Sequence, residues 1–172
     1  PRRPDELILP DRLWNHGVRS ALISDVPYLR ETGNGFGRGW DEVVWVRGSG
    51  YDPCVAKGDP RLKGRKAELE IEGQSGLRLP PDDDPDRPIW KERWSQFLRN
   101  RVGLQTDREE NTGVARTVRA AIEWLERRDQ EREPFVLWLD IFSPHGPWDP
   151  PEPYRDQYAA EEPDEFEAGD EG

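Results

Sequence analysis

The segment Ser143-Pro144-His145-Gly146-Pro147-Trp148-Asp149-Pro150-Pro151 sets an imidazole between two prolines and close to a tryptophan. Each proline restricts the backbone around it, and Trp148 adds a rigid neighbour, so His145 is held in place. A fixed imidazole suits hydrogen-bond donation to an oxygen that gains negative charge. The competing reading is a loop histidine bonded to backbone, and the buried strand that the sequence places just before it favours the chemical one. A second chemically equipped segment, Ser24-Asp25-Val26-Pro27-Tyr28, offers a carboxylate and a phenol, Asp25 and Tyr28, as candidate substrate contacts. Asp140 reads as a carboxylate at a strand edge before it reads as a metal ligand, and His16 as a helix-end residue. Cys54 has neither a base nor a helix N-terminus next to it to make it a nucleophile.

Both segments follow elements that would hold them. Pro10 and Gly17 bracket a short helix over Asp11 to His16. Val18 to Ser24 is apolar and uncharged after Arg19, the pattern of a buried parallel strand, with Asp25 at its C-terminal edge. Glu42 to Arg47 is a second strand. From Gly48 to Pro88 periodicity fails, and we expect a variable, weakly ordered insertion over about 58–88. Trp90, Trp94, Phe97, Leu98 and Arg101 predict a helix over Ile89 to Arg101 that ends before Gly103, with its aromatic stripe in the core. Val114, Val118, Ala121, Ile122 and Leu125 predict another, capped at Asn111 or Thr112, with Arg127-Arg128 at its C-terminal end. Phe135 to Phe142 reads as a central strand. This order gives the α/β class with a mainly parallel sheet, in which ligands bind beyond the carboxyl ends of the strands.

Composition narrows the partners. The chain has 172 residues, 33% hydrophobic and 35% charged, with a formal charge of −11, against about 45–50% apolar and 25% charged in ordinary domains. That acidity repels a phosphate backbone, so nucleic acid is not an expected partner. No apolar run approaches the roughly 20 residues of a membrane span, and no basic-then-apolar signal segment opens the chain. A soluble protein is expected, and its compartment is not specified. One cysteine excludes an internal disulfide. The absence of methionine and the acidic stretch from Glu161 to Gly172 lead us to expect a piece of a longer protein.

The run from Pro134 to Tyr154, a Pro-Phe-x-Leu-Trp-x-Asp-x-Phe strand entering Pro-His-x-Pro-Trp-x-Pro-Pro-x-x-Tyr, resembles the sulfatase family of the alkaline phosphatase superfamily. Leu13 to Asp25 is similar to that family's early helix, glycine and strand. Gly39-Trp40-Asp41-Glu42, Arg47-Gly48 and Asp52-Pro53 are similar to its next loop and strand. The resemblance implies an alkaline-phosphatase-like sheet, of which residues 1–172 form an internal portion of one catalytic domain, completed by the remainder of that domain. It implies a sulfuric ester hydrolase in which a formylglycine attacks sulfur, calcium binds the ester oxygens, and His145 contacts a sulfate oxygen. The Cys/Ser-x-Pro-x-Arg motif is absent, Cys54 being followed by Val55-Ala56-Lys57-Gly58, and the paired metal-binding aspartates have no counterparts. No cofactor is therefore expected on this portion alone, and calcium and formylglycine belong to the parent. Asp25 and Tyr28 stand where many sulfatases carry lysine and histidine, which admits a phosphoester or phosphonate relative. A non-catalytic acidic module that meets a basic partner is the alternative from another class.

Overall fold

The computed structural model describes residues 8–31, 33–72, 77–128, 133–146, 150, 151, 154 and 157. Within them the chain is α/β. Helix α1 (Leu9–Asn15) leads through Gly17, at φ +69°, into strand β1 (Arg19–Ser24). A one-turn helix α2 (Pro27–Arg30) and strand β2 (Glu42–Trp45) follow. Then come the long helices α3 (Arg87–Leu104) and α4 (Gly113–Arg128) and strand β3 (Phe135–Asp140). The strands form an all-parallel sheet in the order β2-β1-β3, with Ala21 opposite both Glu42 and Leu137. No helix among the described residues is long and apolar enough to cross a membrane.

Strand periodicity divides β1 between two layers. Ala21 and Ile23 pack on Ala121 and Trp124 of α4, with Val44 and Leu137 beside them. Leu22 faces the other way, into a groove of about 180 Å³ that it shares with Ile8, Pro10 and Trp138. Helices thus lie on both faces of a parallel sheet, as burial of its apolar strands requires.

Three expectations are corrected. Among the described residues β3 lies at the edge of the sheet and β1 between the other two strands. An apolar run signals burial but not position in a sheet, and in β3 Phe135, Trp138 and Leu139 remain exposed. Helix α3 does not stop before Gly103. It runs to Leu104, and Gln105 takes the left-handed cap at φ 56°. Gly103 instead lets Val55 approach, since a Cβ there would stand 2.8 Å from Val55 Cγ1. Of the stripe expected in the core of α3, only Leu98 is fully buried. The buried side of α3 carries Gln96, Leu98, Arg99, Asn100 and Val102, while Trp90, Trp94 and Phe97 form a half-buried ring series. In α4 the buried line is Thr117, Ala121 and Trp124, and Val114, Val118, Ile122 and Leu125 are exposed.

The aperiodic stretch contains two one-turn 3-10 helices, Pro60–Leu62 and Lys66–Leu69. Leu62 joins Val55 and Val102 in a second core against α3. Asn100 fixes the preceding loop through a saturated buried amide. Its Oδ1 accepts from Val55 N–H at 3.1 Å and from Gln96 Nε2 at 2.9 Å, and its Nδ2 donates to the Asp52 carbonyl at 2.7 Å.

Candidate functional site

The loops after β2 and β3 meet the start of α4 at one edge of the sheet, and a cavity of about 520 Å³ opens there. Gly48-Ser49-Gly50 after β2 forms one wall, Phe142 to His145 after β3 another, and Thr112 to Val114 at the start of α4 a third. Phe97, Phe142 and Tyr154 give it aromatic surface, and Ser49, Glu109 and His145 give it polar groups. Among the described residues that line it there is no lysine or arginine.

Asp25 ties the loops together from beneath. One carboxylate oxygen accepts from the Phe142 N–H at 2.7 Å and the other from Ser49 Oγ at 2.6 Å, and the residue is buried. Gly113 makes this possible, because a Cβ there would collide with the Asp25 carboxylate and Ser49 Oγ. Both Asp25 oxygens are thus engaged within the protein. Among the described residues no group of three or more His, Cys, Asp or Glu side chains is placed to hold a metal ion. These residues do not fit the calcium that the resemblance implies.

The β2 loop has its own anchor in Asp52. Its buried carboxylate pairs with Arg30 and, at 2.6 Å, with Arg47 Nε, and accepts from the Gly48 N–H at 2.8 Å. Burial by itself would push this carboxyl up. The hydrogen bonds from Arg47 and Gly48 and the two guanidinium charges outweigh it and hold the group below the usual aspartate range. Arg116, on the first turns of α4, donates to the Arg47 carbonyl at 2.7 Å. Desolvation lowers its pKa despite the nearby Asp25.

His145 stands exposed at the cavity wall, where the sequence places it at the end of β3. Its N–H donates to the Phe142 carbonyl at 3.0 Å, closing a turn with a cis Ser143–Pro144 bond, and its ring stacks on Phe142 at 4.6 Å. Nδ1 lies 2.7 Å from the Gly146 carbonyl, an acceptor, which assigns the proton to Nδ1. In the neutral ring Nε2 is then an acceptor, and only the imidazolium donates from it. Pro147, Trp148 and Asp149, the rest of the expected frame, lie outside the described residues, as does Glu161 to Gly172.

Tyr28 does not line the cavity. Its ring packs behind Phe142 at 6.1 Å and its hydroxyl accepts from the Tyr51 hydroxyl at 2.8 Å. Burial first, then Tyr51, pushes its pKa up to about 12. Asp140 lies by the groove on the opposite face, and Cys54 is half-buried away from the cavity lining. Sequence reasoning missed Ser49, Asp52, Gly113 and Arg116 as builders of this edge. The clustered glycines around Ser49 and the Thr112-Gly113 pair were their only signal. No protein-family model matches the chain, and no curated protein and no solved structure matches it.

Proposed function

We propose that the chain contributes the histidine-bearing side of a sulfatase-like active site, within an alkaline-phosphatase-like sheet, and that the cavity receives a sulfate ester. The observation that carries this reading is His145 on the wall of a cavity beyond the carboxyl ends of three parallel strands, the edge at which such sheets bind ligands. His145, as imidazolium, donates Nε2–H to an ester oxygen, while Phe142 and the Gly146 carbonyl keep the ring oriented. The aromatic wall accommodates the leaving-group side. The nucleophile and the cation that the resemblance implies come from polypeptide beyond these residues, so this chain alone binds the ester without completing its hydrolysis.

The test is an NMR titration of the chain with 4-nitrophenyl sulfate, glucose 6-sulfate and 4-nitrophenyl phosphate, read at the His145 ring protons. A sulfate ester should shift them, and His145→Ala should weaken binding about tenfold, as for loss of one charge-assisted hydrogen bond. In the complete enzyme the same substitution should cost on the order of 100- to 1,000-fold in turnover. An unmoved His145 signal, or equal affinity in a folded variant, overturns the reading. A shift with the phosphate ester alone transfers it to a phosphoester hydrolase.

A further inference from the structure

Ser49 and Asp25 form a pair whose chemistry a sulfate ester leaves unused. Ser49 sits in the β2 loop between Gly48 and Gly50, whose φ angles of +102° and +54° are ones that glycine adopts without strain. The missing side chains also let the loop close. A Cβ on Gly50 would stand 3.2 Å from the Phe142 ring, and one on Gly48 would collide with Leu104. Asp52 holds the Gly48 N–H at 2.8 Å. Ser49 is thereby fixed on the cavity wall, and its Oγ donates to Asp25 Oδ2 at 2.6 Å.

Asp25 is equipped to act as the base for that hydroxyl. It is 4% exposed, and its Oδ1 accepts from the Phe142 N–H at 2.7 Å, which orients the carboxylate. Among the described residues no lysine or arginine donates to it. Arg116, whose charge reaches it, gives its own hydrogen bond to the Arg47 carbonyl. A serine bonded to a carboxylate that a third group orients is the arrangement of an activated oxygen nucleophile. Donors for a developing oxyanion lie at the same place. In the first turn of α4 the N–H of Ala115 goes to Thr112 Oγ1 and that of Arg116 to the Thr112 carbonyl, both at 3.1 Å. The N–H groups of Gly113 and Val114 are left without a partner among the described residues. Both residues line the cavity, and Gly113 abuts Ser49 Oγ.

We propose that Ser49 is the nucleophile of a second reaction in this cavity, acyl transfer from an uncharged carboxylic ester, with Asp25 as its general base. Ser49 Oγ bonds to the ester carbon while its proton passes to Asp25 Oδ2 and the carbonyl π pair moves onto oxygen. That pair returns as the bond to the alcohol breaks, and the departing alkoxide takes the proton from Asp25. Water then attacks the acyl-serine, giving a proton to Asp25, and Ser49 Oγ recovers that proton as the acid leaves. The charges favour an uncharged substrate. While ionised, Asp25 faces the first turn of α4 and repels an anion there. Once it holds the serine proton it is neutral, and the pole of the helix acts on the oxyanion as that oxyanion forms. The apolar part of the ester fills the space beside Phe97, Phe142 and Tyr154. This reaction is independent of the sulfate reading, because it occurs at carbon and both of its residues belong to this chain.

The full chain treated with an alkyl fluorophosphonate and mapped by mass spectrometry, together with turnover of 4-nitrophenyl butyrate, tests the proposal. Ser49 should be the residue labelled. Ser49→Ala and Asp25→Asn should each lower turnover at least about a hundredfold with an unchanged circular dichroism spectrum, as for loss of nucleophile or base. If either variant fails to fold, the position of the label in the unaltered chain decides alone. An unlabelled Ser49, or undiminished turnover in a folded Ser49→Ala chain, overturns the proposal and leaves the Ser49–Asp25 bond as a brace between loops. The response of the His145 ring to a sulfate ester enters neither result, so the two readings fail separately.

Discussion

The carboxylate of Asp25 occupies the space that a side chain on Gly113 would fill, so the first residue of α4 and the residue after β1 are fitted to one another. The contact links the central strand, the β2 loop through Ser49 and the β3 loop through Phe142. Gly113→Ala should therefore destabilise the protein by about 1–3 kcal/mol, the usual penalty for overpacking, although alanine is the better helix former. Gly58→Ala, where no atom stands within 4 Å of the added methyl, should stay within about 0.5 kcal/mol. Thermal denaturation of the two variants side by side measures the difference.

Asn100 should be among the least replaceable polar residues. Removing its amide strands the Val55 N–H and the Asp52 carbonyl in a buried place. Asn100→Ala should cost about 2–4 kcal/mol in urea unfolding. Asn100→Leu, apolar and of similar volume, should recover little of that, because the stranded groups are backbone.

Acid should loosen the β2 loop through Asp52. Its folded-state pKa lies below the unfolded value, so the folded state binds the proton less readily, and the stabilisation is complete above the unfolded value of about 3.9. It is lost as pH falls from there through the depressed folded value. Asp52→Asn should remove this part of the acid sensitivity and cost about 1–3 kcal/mol at neutral pH, since both arginine partners are about one-third exposed. Urea unfolding of both proteins between pH 3 and 7 measures it.

At the alkaline end the sign is reversed in cause and the same in form. Tyr28 keeps its proton in the folded state up to about 12, against about 10 in the unfolded chain. Its contribution is whole below about 10 and disappears as pH rises to about 12. Absorbance titration at the phenolate band should show Tyr28 ionising late, beside Tyr154, which the hydrogen bond with Glu109 also raises, and Tyr51→Phe should bring the Tyr28 step down. A Tyr28→Phe protein should lose the step near 12 and keep that of Tyr154.

Much of the architecture could be read from residue order. Gly17 ends α1 and the uncharged run after Arg19 forms β1, because a left-handed glycine and a doubly buried strand leave local signatures. His145 was placed at the strand's end by the same logic. In α4 the periodic pattern locates the helix but not its buried line, which runs through Thr117, Ala121 and Trp124. Trp124, outside that pattern, takes the core position against Phe135 at 5.3 Å. The buried side of α3 was illegible for another reason: Gln96 and Asn100 serve loop backbone, which no hydrophobic period records. Ser49 and Gly113 lie 64 positions apart in numbering, yet both close on Asp25, a meeting that only the folded chain reveals.

The place of Asp25 also bears on what the cavity selects. The positive pole of a helix attracts anions only within its first turn, by about 0.3–1 kcal/mol, and at α4 a carboxylate of the protein already stands beside that turn. An incoming sulfate finds the start of α4 already faced by a carboxylate, so its charged end is left to His145, and discrimination among esters should come from the fit of their uncharged portion to Phe97, Phe142 and Tyr154.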